Sequence, residues 1–116
     1  MNTLDLAVDE YLHLIARVCP WDLRREQSRL QAFCDWLEER SELSRDLDAI
    51  EPGTALRHAD EAGLTAVECE ELLAALSGLY RWARRDGRVA DNAFAAAHEW
   101  AKASRREEKA ALKITN

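Results

Sequence analysis

Apolar residues recur along this chain at intervals of three and four, the period of helices that turn one face to a core. Val8, Tyr11, Leu12, Ile15 and Val18 share a face of a first helix spanning Leu4–Val18. Thr3 is placed to cap it, and Asp5, Asp9 and Glu10 lie toward the positive end of its dipole. Pro20 closes that helix. Trp21 and Asp22 open a second, whose apolar face is Leu23, Leu30, Phe33, Trp36 and Leu37 and which ends near Arg40–Ser41. The segment SELSRDLDAIEPG then reads as a connection anchored by Leu43, Leu47 and Ile50. Pro52 suits a first helical position, so a short third helix is expected over Pro52–Ala62, with Gly63 as the residue that ends it.

The fourth helix carries the clearest local grammar. Thr65-Ala-Val-Glu68 is a capping box, in which the hydroxyl takes a backbone N–H three residues on and the carboxylate reaches back. Leu72, Leu73, Leu76, Leu79, Tyr80 and Ala83 form a broad apolar stripe, and Gly87 terminates it. Gly78 stands in mid-helix at a cost of about 1 kcal/mol relative to Ala, which close approach of a neighbouring helix would explain. A last helix starts at Asp91 or Asn92 and runs to about residue 114, with Phe94, Ala97 and Ala101 facing inward. No stretch alternates as a strand does. The expected fold is all-α, a compact bundle of four to five helices in one domain over residues 1–116, with its core at about 4–94 and the C-terminal helix at about 91–114.

Composition agrees with a folded domain: 47% of residues are hydrophobic and 33% charged. Only four Gly and two Pro are present, too few for the turns of a β-sandwich. No apolar run approaches the roughly 20 residues of a membrane span, and the acidic start MNTLDLAVDE lacks a signal peptide's basic and apolar regions. A cytoplasmic location without membrane contact is expected. Cys19, Cys34 and Cys69 are odd in number and widely spaced, so they read as reduced thiols on helix faces.

The net charge of −6 is unevenly placed. Residues 1–79 hold 17 acids and 7 bases, giving −10, whereas residues 80–116 hold 5 acids and 9 bases, giving +4. Such asymmetry hints at an anionic partner. No catalytic constellation is visible. His13, His58 and His98 lack a second ligand at metal spacing on their own helices, and there is no G-x-S-x-G or glycine-rich phosphate loop. The chain reads as non-enzymatic, with no metal and no cofactor. What it does carry is arginine. Arg24, Arg25 and Arg29 lie on the second helix; Arg81, Arg84, Arg85 and Arg88 lie on or just beyond the fourth. Guanidinium forks at these places could meet phosphates. They could equally complement a helix C-terminus and pair with Asp22 and Glu26.

Several of these pieces, in this order, resemble a known family. They are Tyr11-Leu12; Leu30-x-x-Phe33-x-x-Trp36-Leu37; Asp46-Leu47-x-x-Ile50; the run from Leu72 to Ala83; then Gly87-Arg88-Val89 and Asn92. Together they resemble the N-terminal core-binding, or SAM-like, domain of tyrosine recombinases and phage integrases, over about residues 6–94. The resemblance implies a small helical bundle that clamps one face of duplex DNA, its second and fourth helices approaching the major groove, in the service of DNA integration and recombination. It also implies that catalysis belongs to a separate domain, and this chain has no H-x-x-R of that domain. Where the family carries a hydroxyl or basic residue in the first half of the fourth helix and an arginine near its middle, this chain has Glu68, Glu71 and Ser77. Its Asn-Pro is Asn92-Ala93.

Two readings follow. In the first, the chain is a DNA-binding module that binds double-stranded DNA weakly on its own, through Arg24, Arg25, Arg29, Arg81, Arg84, Arg85 and Arg88. In the second, it is a helical protein–protein interaction module that kept the bundle and lost the DNA face. That module would use its C-terminal helix, with Phe94, Trp100 and Leu112, to meet another protomer or a recombinase catalytic domain.

Overall fold

In the computed structural model, the backbone is described for residues 2–115 and side chains for all of these except 105 and 107–115. Five α-helices follow in order: α1 (Leu4–Val18), α2 (Leu23–Glu38), α3 (Pro52–Ala62), α4 (Ala66–Arg85) and α5 (Ala95–Thr115). The protein is an all-α bundle. α4 is its axis, and α1, α2, α3 and α5 all pack against it. No strand forms among the described residues, where Thr3 and Asp46 make one isolated antiparallel bridge.

The helix ends are set by local chemistry. Thr3 caps α1 by accepting from the Leu6 N–H. The capping box of α4 is complete: Thr65 Oγ1 accepts from Glu68 N–H at 3.1 Å, and Glu68 Oε1 accepts from Thr65 N–H at 3.0 Å. α3 and α4 both end on a left-handed glycine, Gly63 at φ 68° and Gly87 at φ 77°. Behind each, the next amide returns to the last turn: Leu64 N–H to Ala59 O at 2.9 Å, and Arg88 N–H to Ala83 O at 2.8 Å. These are Schellman closures, which satisfy carbonyls that would otherwise lack partners.

α4 supplies the centre of the core, where Leu72, Leu73, Leu76, Leu79 and Ala83 are fully buried beside Leu4, Leu30, Phe33 and Phe94. Phe94 packs on Tyr80 with ring centroids 4.8 Å apart, which seats α5 on α4. The connection between α2 and α3 is held from two directions. Tyr80 Oη donates to Leu47 O at 2.7 Å, while Leu47 N–H donates to Asn2 O and Leu4 N–H to Arg45 O. Leu47 and Ile50 are buried as anchors, and Leu43 is half-buried. Gly78 is explained at the same level. A Cβ built there would stand 2.6 Å from Tyr11 Oη, so the helix that approaches α4 closely is α1, through its tyrosine.

Four expectations need correction. Trp21 and Asp22 belong to a 3-10 turn, Pro20–Asp22, so regular helix begins at Leu23 and ends at Glu38. α5 begins at Ala95 rather than at Asp91 or Asn92, because Asn92 is occupied as a brace: its Oδ1 accepts from Phe94 N–H and its Nδ2 donates to Ser77 O. Val18 is 59% exposed although it shares a helical face with Tyr11. Phe94 is fully buried and therefore unavailable to a partner. The thiols are free, with Cys34 buried and Cys19 and Cys69 half-buried. Burial pushes the Cys34 thiol up to about 12 and raises that of Cys69.

Candidate functional site

The arginines divide into two groups. At the seam where α1, α2 and α4 meet, guanidinium groups are held by carboxylates. Arg29 Nη2 donates to Glu68 Oε2 at 3.2 Å, and its Nε lies 3.7 Å from Glu71 Oε2. Arg25 pairs with Asp22 at 3.0 Å. Glu26 accepts from Tyr11 Oη at 3.1 Å. Burial raises the Glu26 carboxyl above the usual carboxylate range, while the Tyr11 hydrogen bond pulls it back in part. Glu68 is moved the other way, chiefly by the Thr65 backbone amide and hydroxyl and then by Arg29. The groove between α2 and α4 is thus lined by Asp22, Glu26, Glu70 and Glu71 around the single cation of Arg25. A phosphate entering it would meet mainly negative charge.

Arg88 is engaged as well. It bonds Glu10 and Asp86, the latter at 2.7 Å, and its guanidinium stacks 4.6 Å from the Trp82 ring centroid. This clasp joins α1 to the end of α4 over 78 positions of sequence.

The second group is different. Arg24, Arg81, Arg84 and Arg85 are exposed and make no hydrogen bond or ion pair among the described residues. Arg81, Arg84 and Arg85 share the last turns of α4 at i, i+3 and i+4 spacing. Arg24 stands on α2, one residue from Arg25, so the two point about 100° apart around that helix. The seven arginines accordingly differ in how they are engaged. Three are tied down by carboxylates, three lie on the last turns of α4, and Arg24 is exposed on the first turn of α2.

Along α1 runs a feature that helical periodicity had assigned only in part. Leu6, Glu10, Leu14 and Val18 follow at intervals of four along the outer side of α1, and Trp21 extends the line into the turn. Leu6 is 50%, Leu14 37%, Val18 59% and Trp21 76% exposed. These are four of the seven exposed large hydrophobic residues among those described, the others being Leu56, Val67 and Trp100. The signal was present as a second period-four row beside the core-facing one. It was obscured because Val18 fits both rows and Trp21 reads as a helix start.

The histidines are separate. His13 is exposed beside Asp9, and His98 is half-buried on α5. His58 is buried between Phe33 and Trp36, at centroid distances of 5.4 and 5.3 Å, where burial lowers its basicity. Among the described residues no three His, Cys, Asp or Glu side chains converge to hold a metal ion. No helix among them is long and apolar enough to cross a membrane. Compared with protein-family models, curated proteins and solved structures, the chain matches none.

Proposed function

We propose that the chain is a helical protein–protein interaction module. The observation that carries this reading is the uncovered row of Leu6, Leu14 and Val18 on α1, continued by Trp21 in the turn that follows. Scattered apolar side chains are ordinary on a surface, but a row of them on one helix marks a docking face. The acidic α2–α4 groove agrees, because it withdraws Arg25 and Arg29 from any polyanion. Trp100 on α5, 64% exposed, offers a second apolar contact, while Leu112 lies outside the described side chains.

Binding of duplex DNA in the integrase manner is the second reading, favoured by the unpaired Arg81, Arg84 and Arg85. With about three phosphate contacts, the slope of log affinity against log salt would be about −3, a weak and steeply salt-sensitive association. One experiment separates the two. The intact chain is titrated with duplex DNA at low ionic strength, and partners are recovered from a cell extract with wild type and with Val18→Asp. Loss of a partner in Val18→Asp, with unchanged helical circular dichroism and no DNA binding, supports the interaction module. DNA binding that disappears on reversing Arg81 and Arg85 replaces it with the second reading.

A further inference from the structure

His58 is the largest side chain that α3 buries, the other two being Ala55 and Ala59. A helix of 11 residues has little stability of its own, so this contact governs how firmly α3 stays on the bundle. The imidazole lies against Phe33 and Trp36 of α2, at ring-centroid distances of 5.4 and 5.3 Å. Its Nδ1 is sealed from solvent with no hydrogen-bond partner among the described residues, and the Trp36 indole Nε1 is in the same state. Two guanidinium groups stack on the Trp36 ring, Arg40 of α2 at 4.9 Å and Arg57 of α3 at 5.7 Å, and both bond the Glu61 carboxylate. Glu42, in the connection between α2 and α3, lies 3.7 Å from Arg57. Among the described residues Glu61 is the charge that acts on the imidazole, and it favours the protonated form; no charge of α4, the other helix against which α3 packs, does so. Burial opposes the protonated form more strongly.

We propose that His58 is an acid-sensitive latch: neutral, it holds α3 on α2, and on protonation it releases α3 and uncovers Phe33 and Trp36. In the cation both ring nitrogens are donors, and the N–H at Nδ1 has no acceptor in this contact. The carboxylate that could serve it, Glu61, is already shared by two guanidinium groups. Those bonds, Arg40 first and then Arg57, hold the Glu61 carboxyl below the usual range, so the clasp stays ionised while His58 titrates. Ile50 and Leu64, before and after α3, pack on the core and tether the released segment at both ends. Histidine is the side chain whose ordinary charge change falls between about pH 5 and 8. Because the folded value is depressed, the latch is fully closed above the ordinary histidine value and is lost as pH falls through the folded one.

The test is amide hydrogen exchange on the full chain at pH 7.5 and pH 5, corrected for the intrinsic rate. Protection of the α3 amides should fall about fivefold or more on acidification, with the amides of Leu72–Leu79 in α4 unchanged. His58→Phe, which cannot be protonated, should hold α3 protection constant over the same range. His13→Gln with His98→Gln should keep the wild-type response. The His58 ring proton, followed by NMR, should titrate below the ordinary histidine value and in step with the loss of α3 protection. Constant α3 protection in the wild type overturns the latch. So does a fall that persists in His58→Phe, or one that vanishes in the double histidine variant. Loss of protection in α3 and α4 together overturns it as well, because the bundle then melts as a whole. If His58→Phe does not fold, the double variant and the ring titration decide.

Discussion

Arg29 and Arg85 sit on two helices of one bundle and are chemically identical, yet they meet opposite surroundings. Arg29 lies in the seam between α2 and α4, with 22% of its side chain exposed and both Glu68 and Glu71 within reach. Arg85 ends α4 in solvent, with no carboxylate to hold it among the described residues. The seam spends its cations internally, fixing α2 on α4. The far end keeps them available. A count of arginines is therefore a poor guide to an anion-binding face; what decides is the number of carboxylates each guanidinium already serves.

This contrast can be broken most severely at Gly78. Its Cβ position is 2.6 Å from Tyr11 Oη, a group fixed by its bond to Glu26. Gly78→Ala should destabilise the protein by about 1–3 kcal/mol in urea unfolding, despite alanine's better helix propensity. In a Tyr11→Phe background the nearest oxygen is gone, and the same substitution should become neutral or favourable by up to about 1 kcal/mol. If both backgrounds respond alike, the hydroxyl is not what keeps the site glycine.

Next in size is the direct comparison of the two arginines. Arg29→Ala should lower the melting temperature by about 4 °C, a figure kept small because the pairs are partly solvated. Arg85→Ala should change it by no more than about 2 °C. Comparable losses at both positions would erase the distinction between seam and end.

Glu26 gives a smaller effect with a sign that depends on pH. Its carboxyl titrates above the ordinary range because burial opposes ionisation. Stability linked to it is thus fully present below the unfolded-state value and is lost as pH rises through the folded value. Glu26→Gln keeps an acceptor for Tyr11 without the charge. It should be neutral or stabilising at pH 7 and lose that advantage at pH 4, by thermal melts at the two pH values. The smallest change expected is from Glu68→Gln with Glu71→Gln, which preserves the capping box and frees Arg29. Low-salt affinity for duplex DNA should rise only modestly, because Asp22 and Glu26 stay in the groove. No change at all would mean that the groove carboxylates are not what excludes DNA.

Much of the scaffold was legible in the sequence. The bounds of α1 and α3, both glycine terminators and the capping box were readable because each is written within four or five residues. The start of α5 was misplaced because Asn92 bonds Ser77 O, a partner 15 residues away that no local pattern specifies. The partners of Arg29 and Arg88 escaped the local pattern for the same reason on a larger scale. Arg29 finds Glu68 across 39 positions and Arg88 finds Glu10 across 78, so neither pairing has a periodic signature. The α1 row was written locally, but side-chain spacing alone does not say which of two adjacent rows the other helices will cover.

The three thiols have a practical corollary. Burial raises the Cys34 and Cys69 thiols, which slows their reaction with maleimides at neutral pH, and Cys19 lies two residues from Trp21. A dye attached to Cys19, in a variant with Cys34 and Cys69 replaced by alanine, would sit at the α1–α2 turn. Its emission would report in real time whenever anything comes to rest on that corner of the bundle.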